Sequence, residues 1–184
     1  MKNSRNNFDS ARVSRELKER YNLDFIDVLH RHGAKIYLFG GALRDMVMGH
    51  DWKDADIRVW LPLPAKERDE KIESLLKEAG IRIRAKIPFG EKFTVYRFLP
   101  EGSRSTVGID FSVESEQYLV GPDFTINGLY FDLATEELID KHGAVNDIGQ
   151  EIIKTARPPL EHFKDEPFMI YRAIKTACQF GFNI

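Results

Sequence analysis

Two aspartates, Asp54 and Asp56, are the residues of this 184-residue chain whose spacing suggests chemistry most directly. They follow a polar loop and lie at the start of a segment that we interpret as a strand. Successive side chains of a strand point to opposite faces, so the two carboxylates share one face, with Ala55 and Ile57 on the other. Two carboxylates held this close raise one another's pKa unless a cation lies between them. We therefore predict that Asp54 and Asp56 are ligands of Mg²⁺, with Mn²⁺ as a substitute.

A pair of glycines, Gly40 and Gly41, separates a predicted buried strand (36–39) from a short predicted helix (42–48) upstream of the aspartates. Only glycine lets the main chain approach a ligand so closely, or adopt a positive φ, at little cost. The N–H groups of such a turn and the N-terminus of the following helix can receive phosphate. A pair of hard oxygen ligands facing such a turn is the arrangement that a Mg²⁺–nucleotide site requires.

Composition narrows the class of protein. The net charge of −2 lacks the basic excess of a dedicated nucleic-acid-binding protein, which argues against a large RNA interface in this chain. The single cysteine, Cys178, argues against disulfides and cysteine-based metal clusters and suits a reducing cytoplasm. No apolar run is as long as a membrane span, and segment 1–20 lacks the apolar core of a signal peptide. We therefore expect a cytoplasmic protein rather than an organellar one.

Hydrophobic periodicity and turn residues divide the rest of the chain into helices and strands. Helices are predicted over 10–32, with Asn22 as a point of interruption, and over 65–79 and 161–180. Further strands are predicted over 81–87, 93–98, 107–113, 128–133 and 137–140. Strands interleaved with helices indicate an α+β fold, in which helices flank a mixed sheet of about five strands. We expect an N-terminal helix (1–33), a main domain (34–157) and a C-terminal helical segment (158–184).

Four motifs of this sequence resemble, in their order and spacing, those of one enzyme family. They are Gly40-Gly41-x-x-Arg44-Asp45, Asp54-x-Asp56, Asp123-Phe124-Thr125-Ile126-Asn127, and Pro167-x-x-x-x-Arg172-Ala173-Ile174 with Gly181-Phe182 beyond. The family is the class II tRNA nucleotidyltransferases and poly(A) polymerases of the polymerase-β-like superfamily. The similarity covers the head domain and the start of the neck, from about Ile36 to the last residue. Each motif alone is common, whereas four in the same order are specific.

The resemblance implies a Mg²⁺-dependent nucleotidyltransferase that joins an RNA 3′-hydroxyl to the α-phosphate of ATP or CTP and releases pyrophosphate. The product would be a tRNA, or another RNA, extended by CMP, AMP or both. The resemblance assigns 34–157 to a catalytic head and 158–184 to the start of a helical neck. Asp54 and Asp56 would hold the metal, and the backbone of the glycine pair would approach the triphosphate.

The resemblance also implies a third carboxylate and a phosphate-binding arginine. Asp110, on the predicted strand 107–113, is the best candidate for the carboxylate, because its neighbours Ile109 and Phe111 point the opposite way. The alternative for Asp110 is a half-exposed strand acid without a catalytic role. Arg44 lies in the first turn of the helix after the glycines, where the family uses the matching arginine to reach phosphate oxygens. The alternative for Arg44 is a solvated helix charge.

The last two motifs would complete the nucleotide pocket. Asp123 and Asn127 would shape it, and Arg172 and Lys175 would face the nucleotide from the last helix. The alternatives are a helix-capping role for Asp123 and a solvated helix face for the two cations.

The sequence departs from the family pattern at two places. Gly121-Pro122 stands where the family has basic residues, and Met169 replaces the first arginine of the last helix. Each lost phosphate contact would weaken nucleotide binding by on the order of 1.5–3 kcal/mol. Other cations could take their place, and the candidates are Lys86, Lys92, Arg97 and Arg104.

These observations leave three functions open. The first is the catalytic head of an RNA nucleotidyltransferase. The second is a catalytically weak or inactive homologue that binds nucleotide or RNA, or forms one part of a split enzyme, which the two departures favour. The third is a superfamily enzyme that transfers a nucleotide to a small molecule or a protein, which the motifs from Asp123 onward argue against. In the family a body and tail select the base and grip the tRNA, so we expect either a longer enzyme or a partner subunit to supply them.

Overall fold

The computed structural model describes residues 8–89, 93–114 and 122–184. Its helices are α1 (Ser10–Arg20), α2 (Asp24–Arg31), α3 (Gly41–Val47), α4 (Ala65–Glu78), α5 (Ala144–Gly149), α6 (Pro159–Asp165) and α7 (Phe168–Phe180). Its strands are β1 (Lys35–Phe39), β2 (Ala55–Trp60), β3 (Ile83–Phe89), β4 (Phe93–Phe98), β5 (Ile109–Glu114), β6 (Leu129–Asp132) and β7 (Leu138–Asp140). A turn of 3₁₀ helix, Thr125–Asn127, precedes β6. No helix in the three described ranges is long and apolar enough to cross a membrane.

The strands form one sheet in the order β3-β4-β5-β2-β1-β6-β7. Strands β2 and β5 run parallel, and the other neighbouring strands are antiparallel. The predicted α+β fold with a mixed sheet is confirmed, whereas the predicted number of about five strands is wrong. The sheet has seven strands because β3 pairs along β4 at one edge and the three-residue strand β7 pairs along β6 at the other.

Alternation along β2 gives the sheet two different faces. Ala55, Ile57 and Val59 are fully buried, whereas Asp56 and Arg58 on the opposite face are half-buried. The buried side chains belong to a core that also contains apolar residues of α1, α2 and α4. Because a shift of one residue would expose the whole apolar set, this core fixes the register of β2 and the direction of its polar side chains.

The helix predicted over 10–32 is two helices, because the chain is extended at Tyr21, with φ −126° and ψ 143°. The break falls at Asn22, as the sequence indicated. The Asn22 side-chain oxygen accepts a hydrogen bond from the backbone N–H of Asp24 at 3.1 Å, and its own backbone N–H donates to Ser103 Oγ at 3.1 Å. An asparagine that bonds the backbone two residues on favours a turn over a helix.

The continuous helix predicted over 161–180 is wrong, because α6 and α7 are separate. Pro167 has no N–H to donate, and its ring disfavours the helical conformation at the preceding residue. Glu166 accordingly has φ −135° and ψ 76°. Helix α7 ends at Gly181 as predicted, where a φ of 72° is in the left-handed region that glycine adopts at little cost.

Trp52, in the loop before β2, is held by helix α1. Trp52 is 1% exposed, and its indole N–H donates to Glu16 Oε2 at 2.6 Å. Arg20 donates to the Trp52 carbonyl at 2.5 Å, and its guanidinium carbon lies 4.0 Å from the centroid of the Trp52 ring. Because Trp52 precedes Asp54 by two residues, these contacts fix the backbone that leads to the paired carboxylates.

The variant Glu16→Ala should lower the free energy of unfolding by about 1–3 kcal/mol, because it leaves the buried indole N–H of Trp52 without its acceptor. Glu19→Ala, which removes an exposed glutamate from the same helix, is the matched control and should change stability by no more than about 0.5 kcal/mol. Urea unfolding of both variants measures the difference. Equal stability of the two variants would show that the contact between Glu16 and Trp52 does not hold the loop.

Candidate active site

The predicted catalytic carboxylates meet on neighbouring strands. Asp56 in β2 lies in register with Asp110 in the parallel strand β5 and with Phe39 at the end of β1. Asp54 is exposed and lies just before β2, rather than within the strand as predicted. The reason is that β5 begins at Ile109, opposite Ala55, so the ladder starts one residue after Asp54.

The environment of Asp56 favours a bound cation. The pKa of the Asp56 carboxyl group is raised to about 6 by burial and by the negative charges of Asp110 and Asp54, against the opposing effect of Arg58 and Arg97. Carboxylates held together in this way favour a cation between them, and hard oxygen ligands fit Mg²⁺. No group of three or more His, Cys, Asp or Glu side chains within the described ranges is arranged to hold a metal ion.

Asp110 is held by an arginine of the next strand. Arg97 in β4 donates from Nε and Nη2 to the two carboxylate oxygens of Asp110, each at 2.5 Å. The two residues face each other in register, and bidentate pairs of this kind are among the stronger hydrogen-bonded contacts. The charge of Asp110 is thereby compensated within the sheet. Its role as a third catalytic carboxylate stays a prediction.

The glycine turn lies directly beside Asp56. Gly40 has φ 79° and ψ −135°, a conformation that other residues adopt only with strain. A Cβ atom at Gly40 would lie 3.7 Å from Asp56 Oδ2, so the main chain passes close to the carboxylate. Helix α3 begins at Gly41, one residue earlier than predicted. The turn and the carboxylate therefore lie on one surface, as the sequence predicted.

A cleft of ≈ 570 Å³ extends from the glycine turn to the C-terminal helices. Asp56, Gly40 and Gly41 form part of its wall. Four arginines also line it, and they are Arg44, Arg58, Arg157 and Arg172. Other lining residues include Pro122, Asp123, Asn127, His162, Glu166 and Met169.

Hydrogen bonds and one ion pair join the predicted nucleotide-binding residues of the cleft in a chain. Arg44 donates from Nε to Asp45 Oδ1 at 2.8 Å and from Nη1 to Asn127 Oδ1 at 2.7 Å. The Asn127 amide donates to Asp123 Oδ1 at 2.9 Å, and Asp123 Oδ2 lies 2.7 Å from Arg172 Nη2. Residues far apart in the sequence thus fix the direction of two arginines in the cleft.

The segment 123–127 also has a structural role. Asp123 Oδ1 accepts a hydrogen bond from the backbone N–H of Phe124 at 2.8 Å, and Phe124 and Ile126 are buried in the core. The bond is not the predicted helix cap, because the N-cap of the 3₁₀ turn is Phe124 and no side chain caps it. The same five residues therefore combine core packing with a polar face toward the cleft.

Three predicted site residues are not among the described residues that line the cleft. Asp54 and Asp110 adjoin Asp56, in the sequence and in the sheet respectively. Lys175 is exposed on α7. Gly121, part of the first departure from the family pattern, lies outside the described residues.

The cations predicted to replace the missing charges lie elsewhere. Lys86 pairs with Glu73 at 2.5 Å, and Arg97 pairs with Asp110. Arg104 borders a separate cavity near α1, and Lys92 lies outside the described residues. Lys86, Arg97 and Arg104 are therefore not among the described residues that line this cleft.

Two arginines of the cleft, Arg58 and Arg157, were not predicted from the sequence. Arg58 follows Asp56 by two residues, so strand alternation could have placed it on the same face. Its guanidinium lies 3.6 Å from the centroid of the Phe39 ring and donates to Tyr130 Oη at 3.1 Å. Arg157 lies in an irregular segment before α6, where no periodic pattern signals its direction.

The fold is shared with solved structures of CCA-adding enzymes. The Bacillus stearothermophilus CCA-adding enzyme in complex with CTP is 23% identical with a TM-score of 0.67, and the match covers 91% of this chain and 40% of that chain. The Thermotoga maritima CCA-adding enzyme complexed with tRNA is 25% identical with a TM-score of 0.64, and the match covers 92% and 41%.

Sequence comparison identifies the family. The family model of the poly(A) polymerase head domain matches residues 36–154. The multifunctional CCA protein of Xylella fastidiosa is 31% identical over 157 residues, which are 82% of this chain and 36% of that protein. The CCA-adding enzyme of Bacillus pumilus is 29% identical over 165 residues, which are 88% of this chain and 41% of that protein. This chain belongs to the poly(A) polymerase head-domain family, as the motifs predicted, and spans about two fifths of the length of these relatives.

The variants Gly40→Ala and Gly49→Ala should separate the conformational role of the turn from its predicted contact with phosphate. Both glycines have positive φ, 79° and 74°, so both variants should lose about 1–3 kcal/mol of stability. Only Gly40→Ala should weaken the binding of ATP or CTP, by about ten-fold or more, because only Gly40 lies beside Asp56. Urea unfolding and calorimetric titration measure the two effects. Unchanged nucleotide affinity in Gly40→Ala would contradict the predicted role of the turn.

Proposed function

We propose that this chain is the catalytic head of an RNA nucleotidyltransferase, which adds CMP, AMP or both to the 3′ end of a tRNA or another RNA. In this reaction the 3′-oxygen of the RNA forms a bond to the α-phosphorus of CTP or ATP, and pyrophosphate leaves. The observation that carries the proposal is the register of β2 and β5, which sets the carboxylates of Asp56 and Asp110 side by side next to the glycine turn. Membership of the poly(A) polymerase head-domain family supports it.

In the proposed mechanism Asp54 and Asp56 hold the metal, and Asp110 completes the set of catalytic carboxylates. Mg²⁺, or Mn²⁺ in its place, lowers the pKa of the attacking hydroxyl group and neutralises phosphate charge when bound. Asp110 is oriented by Arg97 through two hydrogen bonds, which hold its carboxylate on the strand beside Asp56.

The proposed triphosphate site lies in the cleft beside the glycine turn. The backbone of Gly40 and Gly41 approaches the phosphates, and Arg44 and Arg172 donate charge-assisted hydrogen bonds to them. Asn127 and Asp123 hold the two arginines in position, so that these side chains lose little further freedom when the nucleotide binds. Lys175, which is exposed outside the cleft wall, has the weakest support as a nucleotide contact.

The proposed partners are ATP, CTP and an RNA 3′ end. The relatives named above include structures with CTP and with tRNA. We assign residues 1–33 to an N-terminal segment, 34–157 to the head and 158–184 to the start of a neck. Helix α1 of the N-terminal segment supports the head through Trp52. Body and tail segments, in the same chain or in a partner subunit, would grip the RNA. The cytoplasm stays the predicted location.

Extension of an RNA primer tests the proposal. The purified protein is incubated with Mg²⁺, labelled ATP or CTP, and either a tRNA that lacks its terminal CCA or a generic primer. Asp54→Ala/Asp56→Ala should lower the rate of extension about a thousand-fold or more, because the loss of metal binding removes several kcal/mol of transition-state stabilisation. Asp51→Ala, an exposed aspartate of the same loop, is the control that should keep wild-type activity. Equal extension by the wild type and the double variant would contradict the proposed mechanism.

A further inference from the structure

Arg157 differs from the other arginines of the cleft in how it is held. Its Nε donates to His162 Nδ1 at 3.2 Å, and its Nη2 lies 3.0 Å from the same nitrogen. Its Nη1 donates to Asp165 Oδ2 at 3.2 Å, and its Nη2 lies 3.7 Å from Glu166 Oε1. Arg157 is thus oriented by a histidine on one side and by two carboxylates on the other.

The hydrogen bond from Arg157 determines which ring nitrogen of His162 carries the proton. A guanidinium group has only donors, so Nδ1 of His162 must accept, and the ring is neutral with its proton on Nε2. His162 is 4% exposed, and its Nε2 is buried without a hydrogen-bond partner among the residues that the structure describes. A buried donor without an acceptor is costly, and an apolar side chain at this position would avoid the cost. What the histidine provides in return is the acceptor nitrogen that orients Arg157.

The two carboxylate partners of Arg157 do not use all of its N–H donors. The side chains of Asp165 and Glu166 are 60% and 53% exposed, and exposed ion pairs of this kind contribute little to stability. A guanidinium group offers five N–H donors in a planar fork, and the hydrogen bonds within the described ranges leave some of them available. Arg44 and Arg172 also contact side chains that line or adjoin the same cleft, Arg44 through hydrogen bonds and Arg172 through an ion pair.

The backbone around Arg157 also restricts the position of its guanidinium group. Pro158 and Pro159 follow it, which restricts the chain at Arg157 to extended conformations. Thr155 Oγ1 donates to the Arg157 carbonyl at 2.7 Å. The guanidinium therefore enters the cleft from a short restrained segment, on the side where Met169 of α7 brings no charge.

We propose that Arg157, oriented by the acceptor nitrogen of neutral His162, binds phosphate oxygens of a nucleoside triphosphate in this cleft. This inference rests on the proposed function and extends it to a residue outside the four motifs. It also compensates for a departure from the family pattern: Met169 replaces an arginine of the family, and Arg157 contributes a positive charge to the same cleft. Phosphate is the fitting ligand because the planar fork of an arginine matches the geometry of phosphate oxygens.

Calorimetric titration with CTP, ATP and inorganic tripolyphosphate tests the proposal. Arg157→Ala should weaken the binding of all three ligands by the same factor, about 10-fold to 100-fold, because the contact is to the phosphates that they share. Arg157→Lys should lose less affinity, since it keeps the charge without the fork. Arg82→Ala is the control, because Arg82 is exposed and does not line the cleft, and it should bind like the wild type.

Variants of His162 separate positioning from direct contact. His162→Asn keeps an acceptor near Arg157 and should bind triphosphate more tightly than His162→Phe, which has none. Equal affinity in these two folded variants would overturn the role given to His162.

The outcomes distinguish this inference from the proposed function. If Arg44→Ala loses triphosphate affinity while Arg157→Ala binds like the wild type, the inference is wrong and the proposed function stands. If Arg157→Ala changes the affinities for CTP and ATP by different factors, the contact is to the base and the inference is also wrong. If the wild-type protein binds none of the three ligands, both the inference and the proposed function are contradicted.

Discussion

The site depends on the Asp56 carboxylate, which is half-buried beside two other negative charges. Parallel pairing of β2 with β5 places Asp110 next to it, and the sequence places Asp54 two residues before it. Burial and these charges raise the pKa of Asp56 to about 6, so the ionised form is disfavoured unless a cation is near. Positive charge near Asp56 has two sources. Arg97 and Arg58 come from the sheet itself, and the proposed divalent ion would complete the compensation.

The cleft beside this carboxylate is assembled from segments that are distant in the sequence. Arg44 follows the glycine turn, yet its direction depends on Asn127, and its guanidinium carbon lies 4.5 Å from the centroid of the Phe180 ring at the end of α7. Asp123 then joins the same chain of bonds to Arg172. Helix α7 is thereby coupled to the glycine turn through polar side chains of the cleft, in addition to the packing of Ala173 in the core. Such a connected polar arrangement specifies one geometry, because each member needs its partner to stay satisfied.

Elements with strong local signals could be predicted from the sequence, and the rest depended on contacts that no local pattern encodes. Alternation placed Asp56 on the open face of its strand, and the glycine pair placed the turn beside it. The break at Pro167 had a local cause, yet the helical periodicity on both sides of it was continuous and hid it. A strand was predicted at or near the position of each of the seven, yet the width of the sheet was underestimated, because no local pattern shows which strands pair into one sheet. Arg157 was missed because its direction depends on His162, five residues away in a different element.

Diffraction from a crystal grown with Mn²⁺ and a non-hydrolysable CTP or ATP analogue tests the central claim most directly, because Mn²⁺ is located by its anomalous signal. The account predicts an anomalous peak bound by the carboxylates of Asp54 and Asp56, with the triphosphate in the cleft beside Gly40 and Gly41. A peak away from these carboxylates, or a triphosphate bound in the cavity near α1 that Arg104 borders, would contradict it.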